Sequence, residues 1–188
     1  PASFSQERLW FLNSWQRRDS YNMHWHCRLS GDLNPDLLRQ SLDLMLARHE
    51  SLRTGFVQRQ GLLWQEITPP QACPFEFRDT DEQGLETALH KLAGHRFNLD
   101  NPPLLHATLF RIGERQFVLS LTFHHIITDG LSMAIFIREL SACYQALTEG
   151  ETAKLPALPL QFADFAAWER RNLQGERIEK LLAYWRQE

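Results

Sequence analysis

Cysteine is scarce in this chain, and its placement is informative. The 188-residue sequence has three cysteines, Cys27, Cys73 and Cys143, which lie far apart. An odd number of widely spaced cysteines argues against a disulfide framework, and the lack of a CxxC pair excludes the usual zinc clip. We therefore expect unpaired thiols and a reducing compartment, the cytoplasm.

An excess of basic charge and long hydrophobic runs are also missing. The sequence has 20 Lys and Arg against 23 Asp and Glu, which gives a net charge of -3. Proteins that bind nucleic acid or anionic membranes carry a basic surface, so we expect neither partner. A membrane-spanning helix needs about 18 consecutive apolar residues, and the sequence has no such run.

Signatures of several hydrolase and metal-site classes are absent as well. Ser120 and Ser132 lack the GxSxG context of a nucleophilic serine. His49 is not followed by a second histidine four residues later, so the HExxH zinc motif is missing, and we expect only polar contacts at a helix end. His24 and His26 share one face of a predicted strand, but no third ligand follows at a usual spacing. We therefore expect no bound metal.

What the sequence does contain is an alternation of helical and strand patterns. Apolar residues at helical spacing or in alternation predict secondary structure throughout the chain. The mixed order favours an α/β or α+β sandwich, with a mixed sheet covered by helices. The predicted helices are 5–12, 35–48, 82–96, 131–147 and 161–187, the last interrupted near position 175, and the predicted strands are 21–29, 53–58, 62–67, 105–112 and 116–124.

The most chemically informative segment follows the last predicted strand. Because side chains alternate along a strand, His124 and His125 should point to opposite sides, so one is structural and the other reaches a cavity. Asp129 suits the N-cap of the apolar helix 131–147, and Gly130 permits a tight or left-handed turn. An imidazole there can accept a proton from an amine or a hydroxyl, and nearby backbone N–H groups could stabilise an oxyanion. Without a nucleophile nearby, direct acyl transfer is expected.

Four segments of the chain match known sequence motifs, and they are SFSQERLWFL at 3–12, RHESLRTGF at 48–56, HHIITDGLS at 124–132 and QFADFAAW at 161–168. The motifs are SxAQxRLWxL, RHExLRTxF, HHxxxDGxS and YxDYAxW, and here Ser5 stands in place of the usual alanine of the first. HHxxxDG alone is shared by many acyltransferases, whereas the four motifs in this order are specific. With these four segments, the chain resembles one enzyme family, the condensation domains of non-ribosomal peptide synthetases.

The resemblance implies a chloramphenicol-acetyltransferase-like fold of two lobes, of which residues 1–188 would be the N-terminal one and the C-terminal lobe would be absent. Donor and acceptor substrates would reach a tunnel between the lobes on phosphopantetheine arms of two carrier proteins. The acceptor amine would attack the donor thioester, with no cofactor bound directly by the domain. An adenylation domain would be a further partner in the parent chain.

The resemblance also implies roles for individual residues. His125 matches the main catalytic histidine, acting either as a general base or by orienting the amine. His124 and Asp129 match positions that hold the loop in shape, and Gly130 matches one that lines the tunnel. Arg53 matches an arginine that pairs with the motif aspartate, a role that suits a partly buried carboxylate.

Alternatives to this function remain at the level of the sequence. A stand-alone acyltransferase using acyl-CoA would need only the loop at 124–130, and an isolated lobe could dock carrier proteins without turnover. We expect a single lobe to fold without catalysing. Within the family, the motifs favour condensation over epimerization, and His24-Trp25-His26 before Gly31-Asp32 is only a partial match to the dual subtype.

Overall fold

A four-stranded mixed sheet forms the centre of the molecule. The structure, a computed structural model, describes residues 1–16 and 20–186. The strands of the sheet lie in the order β1-β6-β5-β4, and a separate hairpin pairs β2 with β3. β4 runs parallel to β5, whereas β6 is antiparallel to both of its neighbours. The strands are β1 (Asn22–Ser30), β2 (Thr54–Arg59), β3 (Leu62–Ile67), β4 (Phe75–Asp79), β5 (Leu105–Gly113) and β6 (Gln116–His124).

Helices cover both faces of this sheet. On one face, α2 and α4 pack against the main core, where Phe123 and Phe136 meet edge to face with ring centroids 5.3 Å apart. On the other face, α3 covers a smaller cluster around Phe110 and Val118. The helices are α1 (Phe4–Gln16), α2 (Pro35–Arg48), α3 (Glu82–Ala93), α4 (Gly130–Thr148), α5 (Phe162–Asn172) and α6 (Glu176–Trp185), and a short 3-10 helix spans Glu50–Arg53.

Local signals account for the elements that the sequence predicts well. α2 begins and ends where the pattern places it. Its start is fixed because Asn34 accepts hydrogen bonds from the N–H groups of Asp36 and Leu37 and because proline occupies the first turn. The predicted break near Gly175 is present, at a backbone φ of 56°. Residue 187, the predicted end of the last helix, lies outside the described residues.

Two helix ends differ from the prediction by three residues or more, and one strand was not predicted. α1 continues to Gln16, four residues beyond the predicted end. α3 ends at Ala93, short of the predicted position 96, because Gly94 takes the C-cap. β4 was not predicted at all: its five residues pair in parallel with β5, about thirty residues away in the chain, so only the assembled sheet stabilises them.

Candidate active site

The HHxxxDG segment connects the end of β6 to the start of α4. His124 and His125 point to opposite sides of the sheet, as strand alternation requires. His124 is buried, with 3% of its surface exposed, whereas His125 is exposed and lines a cavity of about 740 Å³. Of the two histidines, only His125 can therefore meet a ligand in this cavity.

Two hydrogen bonds determine the position and tautomer of His125. Its backbone N–H donates to the carbonyl of Tyr21 at 2.7 Å. Its Nδ1 lies 2.7 Å from the carbonyl oxygen of Thr128, and a carbonyl can only accept, so Nδ1 carries the proton. The lone pair of a neutral imidazole is then on Nε2, where it can accept a proton or a hydrogen bond.

His124 has the opposite tautomer. Its Nδ1 accepts a hydrogen bond from the N–H of Ile126 at 3.1 Å, so the proton lies on Nε2. Among the described residues, this Nε2 has no hydrogen-bond partner. Burial, reinforced by the nearby His125, lowers the pKa of His124 to about 4. The ring is therefore neutral near pH 7 and fixes the shape of the loop through Ile126.

Asp129 caps α4 from its N-terminal end. Its Oδ1 accepts hydrogen bonds from both the hydroxyl and the N–H of Ser132, at 2.7 and 2.8 Å. These bonds hold the pKa of Asp129 below its usual range. The cap sets the start of the helix that follows the His124–Asp129 loop.

Gly130 does not use the left-handed conformation that a glycine permits. Its φ is not among the positive values of the described glycines, and it forms the first residue of α4. A Cβ built at this position would meet nothing within 4 Å. The glycine therefore leaves open space at the start of the helix, and no close backbone contact requires it.

The pairing of Arg53 with Asp129 that the family resemblance implies stays a prediction, and the contacts of Arg53 in the described residues are with other groups. The Arg53 guanidinium donates to the carbonyl of Thr68 and lies 3.7 Å from the carboxylate of Glu50. The two hydrogen bonds to Oδ1 of Asp129 come from Ser132, within one helical turn. Arg53 instead holds the 3-10 helix to the segment that follows β3.

All four motif-like segments meet around the His125 cavity. They are separated by up to about 160 positions in the chain, yet each contributes to the same wall. Their convergence defines the candidate site. The contributions are Ser3, Ser5, Gln6 and Leu9 from the first segment, His49, Ser51 and Leu52 from the second, His125, Thr128, Asp129 and Ser132 from the third, and Gln161, Phe162 and Phe165 from the fourth.

Hydrogen bonds join these segments directly. The amide of Gln161 bridges the second and fourth segments, accepting from the N–H of Glu50 at 3.2 Å and donating to the carbonyl of Arg48 at 3.1 Å. Arg170 ties α5 to α1, donating to Glu7 at 2.6 Å. The wall of the cavity is therefore cross-linked by polar contacts between elements distant in sequence.

Sequence reasoning missed a buried carboxylate behind this wall. Glu139 of α4, 6% exposed, accepts from Arg48 at 2.9 Å, and its carboxylate lies 2.8 Å from His49 Nε2. Burial alone would raise the pKa of Glu139, but the hydrogen bonds from Arg48 and His49 outweigh it and hold the pKa low. The signal that could have revealed the site is a lone carboxylate among the apolar residues of α4.

The described residues were also compared with what a metal site and a membrane-spanning helix require. Residues 1–16 and 20–186 contain no group of three His, Cys, Asp or Glu side chains placed to hold a metal ion. His24 and His26 do share one strand face, with stacked rings whose centroids are 6.4 Å apart. Within the same residues, no helix combines the length and apolarity that crossing a membrane requires.

Sequence comparison finds related proteins along the whole chain. The Condensation domain family model matches residues 1–188. The chain is 44% identical, over its full length, to one of the linear gramicidin synthase proteins of Brevibacillus parabrevis. It is 37% identical, over 97% of its length, to nonribosomal peptide synthetase dtxS1 of Metarhizium robertsii. The chain spans only 2% of the length of each of these synthetases.

Solved structures match the fold closely. The X-domain from teicoplanin biosynthesis superposes with a TM-score of 0.92 at 32% identity, covering all of this chain and 42% of that one, and has also been solved in complex with OxyB. The first condensation domain of the CDA synthetase gives a TM-score of 0.86 at 24% identity, covering 98% of this chain and 48% of that one. The predicted chloramphenicol-acetyltransferase-like fold is confirmed, and the chain belongs to the condensation-domain family of non-ribosomal peptide synthetases.

Proposed function

We propose that this chain supplies the catalytic loop for peptide-bond formation between two carrier-tethered substrates. The observation that carries the proposal is that His125 lines the cavity where the four motif-like segments meet, while the Thr128 carbonyl holds Nδ1–H and so leaves the lone pair of the neutral ring on Nε2. The substrates would be aminoacyl or peptidyl thioesters on the phosphopantetheine arms of donor and acceptor carrier proteins. No cofactor of the domain itself enters the reaction.

In the proposed reaction, the acceptor's neutral amine attacks the thioester carbonyl of the donor. The C–N bond forms, the C–S bond breaks, and the proton leaving the amine ends on the departing thiolate. Nε2 of His125 accepts that proton or orients the amine by accepting its hydrogen bond, and the Thr128 carbonyl keeps Nδ1–H pointing away. His124 and Asp129 hold the loop in this arrangement without contacting the reacting atoms.

We further propose that residues 1–188 form one lobe of a two-lobed domain. The chain spans 42% and 48% of two solved chains that share its fold. Large apolar side chains also stand exposed at the cavity, including Leu160 at 72%. The second lobe and the two carrier proteins would cover this surface, with an adenylation domain elsewhere in the same synthetase.

We also propose that the enzyme is cytoplasmic, because its three cysteines are free thiols, which fit a reducing compartment.

A substitution of His125 tests the catalytic role. In the complete synthetase module with loaded carriers, His125→Ala is expected to reduce peptide formation at least about 100-fold, because the only cavity-facing imidazole of the loop is lost. His90→Ala, on the exposed surface of α3 and away from the cavity, is the matched control and should keep wild-type turnover. Near-normal peptide formation by His125→Ala would contradict the assignment.

A second candidate function is partner docking without turnover. The observation that favours it is the 32% identity to the teicoplanin X-domain, whose structure has been solved in complex with OxyB. A docking module would show no peptide formation in the intact module, and His125→Ala would leave its affinity for carrier proteins or tailoring enzymes unchanged. Turnover with acyl-CoA in place of a loaded donor carrier would instead identify a stand-alone acyltransferase.

A further inference from the structure

Gln6 of α1 is a buried polar residue that the proposed mechanism does not use. Only 3% of its surface is exposed. Its Oε1 accepts from the N–H of Ser3 at 2.9 Å, while its own backbone N–H donates to the Ser3 hydroxyl at 3.1 Å. This exchange fixes the amide plane and the first turn of α1, so the amide hydrogens on Nε2 have a fixed direction.

Those hydrogens reach two acceptors far away in the sequence. Nε2 of Gln6 lies 3.4 Å from the carbonyl oxygen of Ile126 and 3.3 Å from Oε1 of Gln65. Ile126 itself is 3% exposed. Loss of the Gln6 donor is therefore expected to be costly, because a buried carbonyl without a hydrogen-bond donor loses free energy.

The Ile126 residue is held on its N–H side as well. Its N–H donates to Nδ1 of His124 at 3.1 Å, so the N–H and the C=O of one residue are bound by two different side chains. Ile126 directly follows His125. The His125 ring is hydrogen-bonded to the carbonyl of Thr128, which lies two residues after Ile126. Movement of Ile126 would therefore shift both His125 and Thr128, the two residues whose hydrogen bond fixes the orientation of the His125 imidazole.

We propose that Gln6 is a positioning residue for His125, acting through the carbonyl of Ile126. The inference deepens the proposed function and rests on it. Gln6 keeps the turn from Ile126 to Thr128 in the conformation in which the Thr128 carbonyl accepts from Nδ1. In the neutral ring the proton is then on Nδ1, and Nε2 keeps its lone pair.

The chemistry of the side chain explains why an amide suits this position. Oε1 must accept from Ser3, whereas the opposite end must donate to two carbonyl-type oxygens. An ionised glutamate has nearly the same shape but only acceptors, so it would direct a lone pair at the Ile126 carbonyl. Gln6→Glu therefore removes the proposed contact while keeping the bond from Ser3.

Contacts with α5 hold α1 in place, so the backbone that carries Gln6 is fixed as well. Arg170 of α5 donates to the Ala2 carbonyl at 2.8 Å and packs over the Phe4 ring at 4.0 Å. The N–H of Phe4 donates to Glu169 at 2.8 Å. The first turn of α1 is thus held by α5 on one side while Gln6 holds the catalytic loop on the other.

The test combines kinetics and spectroscopy on three variants. Gln6→Glu and Gln6→Met remove the donor to Ile126. Gln65→Met, the matched control, removes the other acceptor of the same amide, together with the hydrogen bond from Gln65 to the Pro1 carbonyl, and leaves the contact with Ile126 in place. In the complete module, both Gln6 variants are expected to lower kcat about 10- to 100-fold with little change in KM, because misplacement of a catalytic group affects the chemical step. Gln65→Met should keep the wild-type kcat.

A second measurement does not depend on activity. Nitrogen-15 NMR of the 188-residue chain reports which nitrogen of His125 carries the proton. Wild type and Gln65→Met should show the Nδ1–H form, and the Gln6 variants should show a mixture of both tautomers. Circular dichroism verifies that each variant is folded. If Gln6→Met does not fold, Gln6→Glu alone is used for the comparison with wild type.

The outcomes separate the two proposals. An Nδ1–H tautomer retained in folded Gln6 variants with wild-type kcat would overturn the positioning role. So would an equal loss of kcat in Gln65→Met, which would indicate a general packing defect around the amide. An inactive wild-type module whose His125 tautomer still responds to Gln6 would overturn the proposed function and leave the positioning role standing.

Discussion

Adjacent histidines with the same intrinsic chemistry have opposite tautomers in this loop. His124 uses Nδ1 as an acceptor for the Ile126 N–H, whereas His125 uses Nδ1 as a donor to the Thr128 carbonyl. The difference arises because a backbone N–H faces one ring and a backbone C=O faces the other. The acceptor nitrogen of His124 is thereby occupied by the Ile126 N–H. In the neutral His125 ring, which lines the cavity, the acceptor nitrogen is Nε2.

The low pKa of His124 predicts a pH-dependent stability. Because its pKa falls from 6.5 to about 4 on folding, the unfolded chain binds a proton in that window that the folded chain does not. The free energy of unfolding therefore falls as pH decreases from 6.5 to 4, by up to about 3 kcal/mol from this residue. Urea unfolding between these pH values measures the loss.

His124→Asn isolates the contribution of this residue. The asparagine oxygen can accept from the Ile126 N–H but does not titrate, so the dependence on pH between 6.5 and 4 should become shallower. His90→Asn, at an exposed site on α3, should leave the slope unchanged. An identical slope for wild type and His124→Asn would show that the buried ring does not control stability.

At the scale of elements, α4 carries the contacts that position the loop from behind. Asp129 caps its first turn, and Glu139, in its middle, is bound by Arg48 and His49 at the end of α2. The core contact between Phe123 and Phe136 holds the same helix against β6. The helix is therefore fixed at its start, on its apolar side and at a buried charge.

The cap geometry predicts how substitutions of Asp129 behave. Asp129→Ala should destabilise the chain by about 1 kcal/mol, because the Ser132 N–H loses its acceptor. Asp129→Asn should lose less, since its side-chain oxygen can still accept that hydrogen bond. Denaturant unfolding of the two variants gives the comparison.

A double-mutant cycle tests whether Arg53 takes part in this cap. In the structure Arg53 binds Thr68 and Glu50, so Asp129→Asn and Arg53→Met should have additive effects within about 0.5 kcal/mol. A coupling energy well above that value would restore the direct pairing that the sequence predicted.

At the scale of the whole molecule, the cavity has an apolar rim that faces solvent. Such a patch is typical of a surface that another protein unit covers. The rim lies on α4, α5 and the segment before α5, next to His125. Its exposed members are Ile135 at 41%, Leu158 at 37%, Leu160 at 72%, Phe162 at 41% and Phe165 at 46%.

This rim leads to a prediction for the isolated chain. Residues 1–188 alone should fold but form no peptide with loaded carriers, because only one wall of the proposed tunnel surrounds His125. The two-lobed domain from the same synthetase should be active under the same conditions. Product analysis by mass spectrometry distinguishes the cases, and turnover by the isolated chain would refute the two-lobe requirement.

Much of the local structure follows from the sequence by itself. Strand alternation places His124 and His125 on opposite sides, Asn34 and Pro35 set the start of α2, and Asp129 caps α4. Each of these features depends on contacts within a few residues, and such contacts are available as soon as the local conformation forms. The four motif-like segments also identify the family before any packing is known.

Tertiary structure alone decided which groups meet across the fold. Gln6 reaches Ile126 over 120 positions, and Arg48 reaches Glu139 over 91. Arg53 turns to Thr68 rather than to Asp129, and β4 exists only because β5 lies beside it. Sequence spacing cannot predict such partners, because they depend on how helices and sheet pack and on which buried polar groups that packing leaves to be satisfied.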